Sequence, residues 1–481
     1  GSSISDFSTN NPSQTITATL NTAPAGSDVV YGSLDNGTTW TNITSKLSGT
    51  SLAWNGVTLS GSNTLKLKVT DNAGNDGTTL SQAYVVDTTA PTTTFSALAL
   101  SADTGSGSSD FITTTAAQTI SATLSSLPAG SDVVYGSLDN GATWTNITNK
   151  LSGTSLAWDG VTLSGSNTLM LKVTDAAGND SATVSHTYTV DITAPATPAT
   201  PQLASFSDTG MSSSDHITNN TTPTITGTAE SGSTVTLYDT NGTTVLGTAV
   251  ATGGLYSATV SALSSGSHTI TAKATDAAGN VSSASSGTTV VIDTSAPTAV
   301  ALSATSAITV NATAGTTLAS LSATDDSAIT YSLVAGNGTN DSANNLFTVT
   351  GGALKPVGNL AAGSYNIYVS ATDVAGNHSE QAFTFNVSSG PSVGSIVRAG
   401  GGSTIVDYAA TSLTYTVAFS EAVTGVDTAD FALVKTGSAD GIISGLSTTD
   451  NITYTVTVSG LSGDAPVVQY ATRAMAPWGW T

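Results

Sequence analysis

The chain contains no cysteine and few basic residues. Among its 481 residues, 10 are Lys or Arg and 32 are Asp or Glu, which gives a formal net charge of −22 at pH 7. Without cysteine, no disulfide bond stabilises the fold. Because so acidic a chain is repelled by nucleic acids and by anionic membrane surfaces, we expect neither as a partner.

Long apolar runs and glutamate are scarce as well. No run approaches the roughly 18 apolar residues of a membrane helix, so we expect no membrane insertion, and no signal peptide opens the sequence. Glutamate occurs three times against 29 aspartates, and no window has a helical period. The abundance of Thr, Ser, Gly and Val predicts an all-β protein. Aspartate itself suits turns and the coordination of hard cations.

A six-residue segment occurs three times and marks the joints between repeats. It reads Val-Asp-Thr-Thr-Ala-Pro at residues 86–91, Val-Asp-Ile-Thr-Ala-Pro at residues 190–195 and Ile-Asp-Thr-Ser-Ala-Pro at residues 292–297. Residues 28–91 also align without a gap with residues 132–195, at a spacing of 104 residues. Because proline favours an extended chain around it, each joint is predicted to be a short, stiff connection.

The repeats predict five β-sandwich domains in a tandem array. In domain 2, alternating apolar residues predict strands over 118–124, 132–138, 168–174 and 182–190, a spacing typical of an antiparallel sandwich. Domain 1 is expected to begin inside a repeat and domain 5 to be incomplete, so we interpret the sequence as a fragment of a longer array. The predicted bounds are 1–87, 88–191, 192–293, 294–388 and 389–464, followed by an irregular tail over 465–481.

The tail carries Trp478, Trp480 and Arg473, one of the two arginines of the chain. It fits no strand pattern. We interpret it as a truncation, a cloning scar or a frame-shifted end rather than as a functional aromatic motif.

The motif Asp-x-Ala-Gly-Asn occurs once in each of the first four domains, between the last two predicted strands. Glycine allows a positive φ and Asp and Asn cap the backbone, so the motif predicts a hairpin turn. A second interpretation adds calcium, which takes roughly six to eight oxygen ligands. In that interpretation the turn aspartates, the joint aspartates and two aspartate pairs that open domains 2 and 3 converge at one end of each domain. The candidate ligands are Asp71, Asp87, Asp103, Asp110, Asp175, Asp191, Asp208, Asp215, Asp276, Asp293 and Asp373.

No pattern in the sequence predicts catalysis. Residues 33–40 and 137–144 resemble the Asp-box of sialidase propellers, Ser-x-Asp-x-Gly-x-Thr-Trp, which is a hairpin stabiliser in that family. The two arginines of the chain cannot supply an arginine triad, and one box per repeat is too sparse for propeller blades. The four histidines have no metalloenzyme spacing, and no nucleophile elbow or phosphate loop is present. We expect no enzyme activity and interpret the boxes as structural hairpins.

The joints and the Asp-x-Ala-Gly-Asn turns resemble the bacterial Ig-like repeats of giant type I-secreted surface adhesins, of the RTX or biofilm-associated kind. The resemblance covers domains 1 to 3, and domain 5 is similar to another Ig-like module of the same proteins. Domain 4 looks like a cadherin-like module, on motifs such as Ala-Thr-Asp-Asp at residues 323–326. The resemblance implies an extracellular spacer at the cell surface with structural Ca²⁺ at the domain junctions. The family ligands would map onto Asp87, Asp191 and Asp293, with Asp71, Asp175 and Asp276 opposite.

We therefore interpret the chain as a calcium-stiffened, monomeric and elongated spacer for cell adhesion and biofilm formation. Host or surface glycans or proteins would bind through regions outside this sequence. Two alternatives stay open. The first is a domain that binds a glycan or a protein directly, for which the candidates are Trp40, Trp54, Trp144 and Trp158. The second is a set of accessory modules of a secreted multi-domain enzyme.

Overall fold

The computed structural model describes residues 6–304, 308–310, 312–400, 411–435, 437–463 and 467–470. The chain divides into two compact units, residues 1–207 with 221–291 and residues 208–220 with 292–481. Strands dominate both units, and the helices among these described residues are short 3-10 turns, so the all-β prediction is confirmed. In the described part of the chain, no helix is long and apolar enough to cross a membrane.

Domain 1 is a sandwich of two sheets, with strand orders β1-β8-β7-β3-β4 and β2-β6-β5. A 3-10 turn over Thr44–Lys46 joins them. Its strands are β1 (Ser8–Thr9), β2 (Ser13–Thr19), β3 (Val29–Ser33), β4 (Thr41–Asn42), β5 (Leu47–Ser48), β6 (Ser51–Thr58), β7 (Ser62–Thr70) and β8 (Leu80–Val86).

Domain 2 repeats this plan with one more strand, in the orders β10-β17-β16-β12-β13 and β14-β15-β11-β9. The 3-10 turn recurs at Thr148–Lys150. Its strands are β9 (Phe95–Leu100), β10 (Ile112–Thr113), β11 (Ala117–Leu124), β12 (Val133–Ser137), β13 (Thr145–Asn146), β14 (Leu151–Ser152), β15 (Ser155–Thr162), β16 (Ser166–Thr174) and β17 (Val184–Val190). The four strands predicted from alternation correspond to β11, β12, β16 and β17.

The core of domain 2 shows why alternation predicted these strands. On β11, Ile120, Ala122 and Leu124 point into the sandwich and are buried. Trp158 on β15 packs over Gly136, where a Cβ would lie 2.2 Å from the indole ring, so this position accepts only glycine. Replacing so large a buried side chain by alanine costs about 3–5 kcal/mol.

One feature of the sandwiches was not predicted. The two-residue strand β10 runs parallel to β17, with Ile112 opposite Thr189, and β1 pairs with β8 in the same way. The residue before β10, Phe111, has a φ of 61°. In domains 1 and 2, the opening loop therefore ends beside the last strand of its own domain and lies next to the following joint.

Domain 3 contributes the sheets β18-β20-β23 and β25-β24-β21-β22 to the first unit. The loop over residues 208–220, with β19 (Ile217–Thr218), belongs to the second unit. The other strands are β18 (Gln202–Leu203), β20 (Thr224–Thr228), β21 (Thr234–Tyr238), β22 (Val245–Val250), β23 (Leu255–Thr259), β24 (Gly266–Thr275) and β25 (Thr288–Ile292).

In the second unit, domain 4 forms the sheets β26-β28-β31-β30 and β27-β33-β32-β29. A 3-10 turn over Asn344–Leu346 leads into β30. The strands are β26 (Thr298–Ala304), β27 (Ile308–Thr309), β28 (Ala319–Thr324), β29 (Thr330–Leu333), β30 (Phe347–Thr350), β31 (Ala353–Pro356), β32 (Gly363–Thr372) and β33 (His378–Ser388).

Domain 5 forms a four-stranded sheet, β34-β35-β38-β37, and a two-stranded one, β36-β39. A 3-10 turn, Thr428–Asp430, starts from a capping box at Asp427. The strands are β34 (Val393–Arg398), β35 (Ser412–Phe419), β36 (Phe431–Val434), β37 (Asp440–Thr448), β38 (Thr453–Ser462) and β39 (Val467–Tyr470).

The prediction of an irregular tail is wrong for β39. This strand pairs antiparallel with β36, Val468 lies opposite Leu433, and Val468 is buried in the domain core. A four-residue strand that pairs with a distant segment leaves little local periodicity to detect. Residues 464–466 and 471–481, with Arg473, Trp478 and Trp480, lie outside the described residues.

Candidate metal centre

The Asp-x-Ala-Gly-Asn motif forms a hairpin turn in all four domains, as predicted. In domain 4, Asp373 Oδ1 accepts hydrogen bonds from the amides of Gly376 and Asn377, and its Oδ2 accepts one from the Asn377 side chain over 2.9 Å. The glycine has a φ of 95°, a left-handed conformation that other residues adopt with strain. The sequence therefore folds here for local reasons, whatever else the turn binds.

The turn also contacts the joint that precedes its domain. The Nδ2 of Asn377 donates to the main-chain oxygen of Asp293 over 2.9 Å, within the second unit. Asn179 donates in the same way to Asp87 over 2.8 Å, and Asn280 to Asp191 over 2.9 Å, within the first unit. Each joint is thus held by the turn of the domain that follows it.

This geometry corrects the pairing that the family resemblance implied. The turn at Asp175 lies beside Asp87, in the joint before its own domain. It does not lie beside Asp191, which belongs to the joint after that domain. The reason is the length of the last strand, since β17 has seven residues and separates its turn from its exit by roughly 23 Å at 3.3 Å per residue. By the same shift, Asp276 belongs with Asp191 and Asp373 with Asp293.

One group of acidic side chains could hold a metal ion in the part of the chain that the structure describes. Carboxylate oxygens of Asp293, Asp325 and Asp326 all lie within 4.8 Å of one another. Burial raises the pKa of Asp293, and the negative charges of Asp373, Asp326 and Asp325 raise it further. Asp373 is fully buried and accepts hydrogen bonds inside its own turn, so it adds negative charge near the three aspartates without belonging to their group.

Asp325 and Asp326 were quoted as a cadherin-like motif but were not among the predicted ligands. They directly follow β28, the strand that pairs with β26 beside the joint. Asp325 accepts two hydrogen bonds from Ser327, and these lower the pKa of Asp325. The corresponding position after β20 in domain 3 carries Glu230, whose Oε2 accepts from the amide of Ala196 over 3.3 Å. After β11 in domain 2 the chain has serines, so the acid content differs from joint to joint.

The two aspartate pairs are hydrogen-bonded within the loops that open domains 2 and 3. Asp208 is 5% exposed, its Oδ2 accepts from the amide of His216, and its Oδ1 has no hydrogen-bond partner. Burial raises the pKa of Asp208, and the nearby charge of Asp215 adds to the rise. Asp103 repeats the pattern, with Phe111 donating to Oδ2 and no partner for Oδ1. These pairs stabilise their own loops, with Asp110 and Asp215 capping the amides two residues later, and they are not part of the cluster at Asp293.

Comparison with known proteins gives the family of one domain. Residues 194–294 match the bacterial Ig-like domain family. The bacterial Ig-like prediction is confirmed for domain 3. No curated protein matches the sequence.

Solved structures similar to the chain include tandem-repeat proteins. A tetra-tandem repeat from the extending region of a large adhesion protein has 20% identity, covers 80% of this chain and 98% of its own, and gives a TM-score of 0.25. The BSP domain of a biofilm-associated protein has 18% identity, covers 49% and 43%, and gives 0.16. Drosophila N-cadherin EC1-4 has 14% identity, covers 80% and 96%, and gives 0.21.

The tryptophans proposed for glycan binding lie in the cores and the Asp-box hairpins of domains 1 and 2. Trp54 and Trp158 are buried in the cores of domains 1 and 2. Trp40 is half-buried, and the ammonium group of Lys68 lies 4.5 Å from its ring centroid, with the same arrangement at Trp144 and Lys172. The Asp-box beside Trp40 is a hydrogen-bonded hairpin, in which Thr39 and Ser33 lower the pKa of Asp35 to about 2.

Proposed function

We propose that this chain is a segment of an extracellular bacterial adhesin, in which tandem Ig-like domains form a spacer stiffened by Ca²⁺ at the joints. The observation that carries the calcium part is the cluster of Asp293, Asp325 and Asp326 beside the buried Asp373. The motif resemblance and the family match of domain 3 support the spacer. Adhesion to glycans or proteins, and a role in biofilms, would belong to regions of the parent protein outside this sequence.

The electrostatics of the cluster favour a divalent cation. Like charges at this separation repel one another, and partial burial weakens the screening by water. An ion that binds only the folded joint stabilises it by roughly 2.7 kcal/mol at a hundredfold excess over Kd. Oxygen donors from several carboxylates and a flexible geometry suit Ca²⁺ better than Mg²⁺, which requires a near-octahedral shell and retains its waters.

The site lies between two structural elements, the joint and the body of domain 4. Asp293 lies in the joint, Asp325 and Asp326 lie in the body of domain 4, and Asn377 already connects that body to the joint. A cation bound to all three aspartates would fix the direction in which the chain enters domain 4. A spacer needs this property, because a stiff chain projects a distal region further than a flexible one of equal length.

The test uses the full chain in three buffers, with Ca²⁺, with Mg²⁺ and with a chelator. We expect calorimetry to give a higher Tm in Ca²⁺ than in chelator, with Mg²⁺ close to the chelator. Small-angle scattering in chelator should give a more flexible particle. If Tm and scattering do not change after calcium removal, the joints bind no stabilising calcium. The calcium part of the proposal would then be wrong, and only the spacer proposal would stand.

A further inference from the structure

At two of the joints, a second contact involves no carboxylate. In domain 2, the loop over residues 103–110, here called the leading loop, reaches the Asp-x-Ala-Gly-Asn turn of domain 3. Thr104 Oγ1 donates to the main-chain oxygen of Ala278 over 2.8 Å, and the amide of Ser106 donates to Ala277 over 3.1 Å. Both acceptors are main-chain oxygens, so these bonds need no cation.

The same contact is built again in the second unit. Thr209, in the leading loop over residues 208–215, donates through Oγ1 to the main-chain oxygen of Ala375 over 2.9 Å. The amide of Met211 donates to Val374 over 3.0 Å. Two loops that share the sequence Asp-Thr-Gly thus make the same pair of bonds to the turn of the next domain.

Glycines allow the two backbones to approach. A Cβ at Gly105 would lie 2.1 Å from the oxygen of Ala277, and one at Gly279 would lie 2.6 Å from the oxygen of Thr104. In the second unit, a Cβ at Gly210 would lie 2.0 Å from the oxygen of Val374. No side chain fits at these distances, so a Thr-Gly loop and an Ala-Gly turn are sterically matched to each other.

We infer that the Thr-Gly loop and the Ala-Gly turn form a docking contact between consecutive domains that needs no cation, here called the latch. The latch determines which kind of domain can follow another in the array. The leading loop fits the end of a domain that carries an x-Ala-Gly-Asn turn, in which the glycine leaves room for the backbone of the loop. This inference goes beyond the proposed function, since neither calcium nor adhesion enters it.

Among the residues that the structure describes, none packs over the motif glycine of domain 1. The alanine of its motif, Ala73, is exposed, whereas Ala278 and Ala375 are 1% and 0% exposed. Gly74 has a φ of 90°, close to the 97° of Gly279, but a Cβ there would meet nothing within 4 Å. Gly74→Ala therefore carries the same backbone strain as Gly279→Ala without the collision.

The experiment measures the distance between domains 2 and 3 in the full chain with calcium in excess. Because the chain has no cysteine, nitroxide labels at Ser155→Cys and Thr252→Cys, both exposed, report one distance by pulsed electron resonance. We expect Gly279→Ala to lose the narrow distance peak and Gly74→Ala to retain it. Thr104→Val should broaden the peak, and Thr104→Ser, which keeps the hydroxyl, should restore it.

Two outcomes would overturn the latch. One is a Gly279→Ala peak as narrow as that of Gly74→Ala, and the other is a broad peak for Gly105→Ala that appears only after calcium is removed. Either result would mean that the cation alone fixes the distance between the two domains. A narrow peak in chelator for the unchanged chain, lost in Gly279→Ala, would support the latch even if the calcium proposal fails.

Discussion

The side chain of Asn377 donates to the main-chain oxygen of Asp293 over 2.9 Å, and so connects a hairpin turn to the joint before it. The same amide also donates to Asp373, inside the turn. One residue therefore stabilises both its own hairpin and the path of the preceding chain. The last position of the motif, which the sequence explains only as a backbone cap, has this second role in three domains.

The first prediction separates these two roles of the asparagine. Asn280 donates both to Asp276 and to the joint at Asp191, whereas Asn75 donates to Asp71 and, among the described residues, to no joint. We expect Asn280→Ala to lower the free energy of unfolding by about 1 kcal/mol more than Asn75→Ala does, the usual net value of one hydrogen bond. Urea unfolding of the two variants measures the difference. Equal losses would mean that the bond to Asp191 contributes nothing.

The sequence predicts the sandwiches of this chain better than its joints. Period-two alternation located β11 and β16 because a buried face requires it at every second position. The turn and joint aspartates were also recognised as neighbours at a domain end, but the wrong pairs were assigned. Strand length alone would have corrected this, since a hairpin turn and the end of its second strand lie at opposite ends of a domain.

Asp325 and Asp326 were missed for a different reason. They lie about 30 residues after Asp293 in the sequence. Only the antiparallel pairing of β26 with β28 brings them beside the joint. Nothing local in Ala-Thr-Asp-Asp distinguishes a cation ligand from a solvated turn. A search for acids at the end of the strand that pairs with the first strand of each domain would have found them, together with Glu230.

A second prediction concerns the cluster itself. Asp326 is exposed, so Asp326→Asn should fold normally, and it removes one of the charges that raise the pKa of Asp293. In chelator we expect this variant to have the same Tm as the unchanged chain or a higher one, because repulsion falls. In calcium we expect its gain in Tm to be largely lost.

The control for this variant is Asp159→Asn, which removes one exposed carboxylate at a position where domain 1 carries Asn55. It should keep the full calcium gain in calorimetry. A calcium response of Asp326→Asn equal to that of the control would exclude the cluster as the binding site.

A third prediction follows from the burial of Asp208. Its folded pKa is raised, so its contribution to stability is present below the ordinary pKa of an aspartate and is lost as the pH rises through the folded value. At pH 7 in chelator, the charged and unpaired Oδ1 should therefore destabilise the chain. Asp208→Asn keeps an acceptor for the amide of His216 and removes the charge, so we expect a higher Tm.

The pH dependence checks this reason. The advantage of Asp208→Asn should shrink as the melts are repeated at progressively lower pH, because the raised pKa lets the native carboxyl take up its proton before an ordinary aspartate does. A lower Tm for the variant at pH 7, or an advantage independent of pH, would contradict the assignment of the penalty to the buried charge.

The last prediction concerns acid and the Asp-box hairpins. Thr143 and Ser137 donate to Asp139 and lower its pKa from 3.8 to about 2, and Asp35 in domain 1 has the same environment. For a lowered carboxyl pKa, the stabilisation is present above the unfolded value and is lost as the pH falls through the folded one. The Tm of the chain should therefore fall between pH 3.8 and about 2.

The double variant Asp35→Asn with Asp139→Asn tests this. Its Tm should be lower at pH 7 and should fall less steeply in that pH window. Thermal melts monitored by circular dichroism give both slopes, and parallel slopes would show that other carboxylates control the acid response.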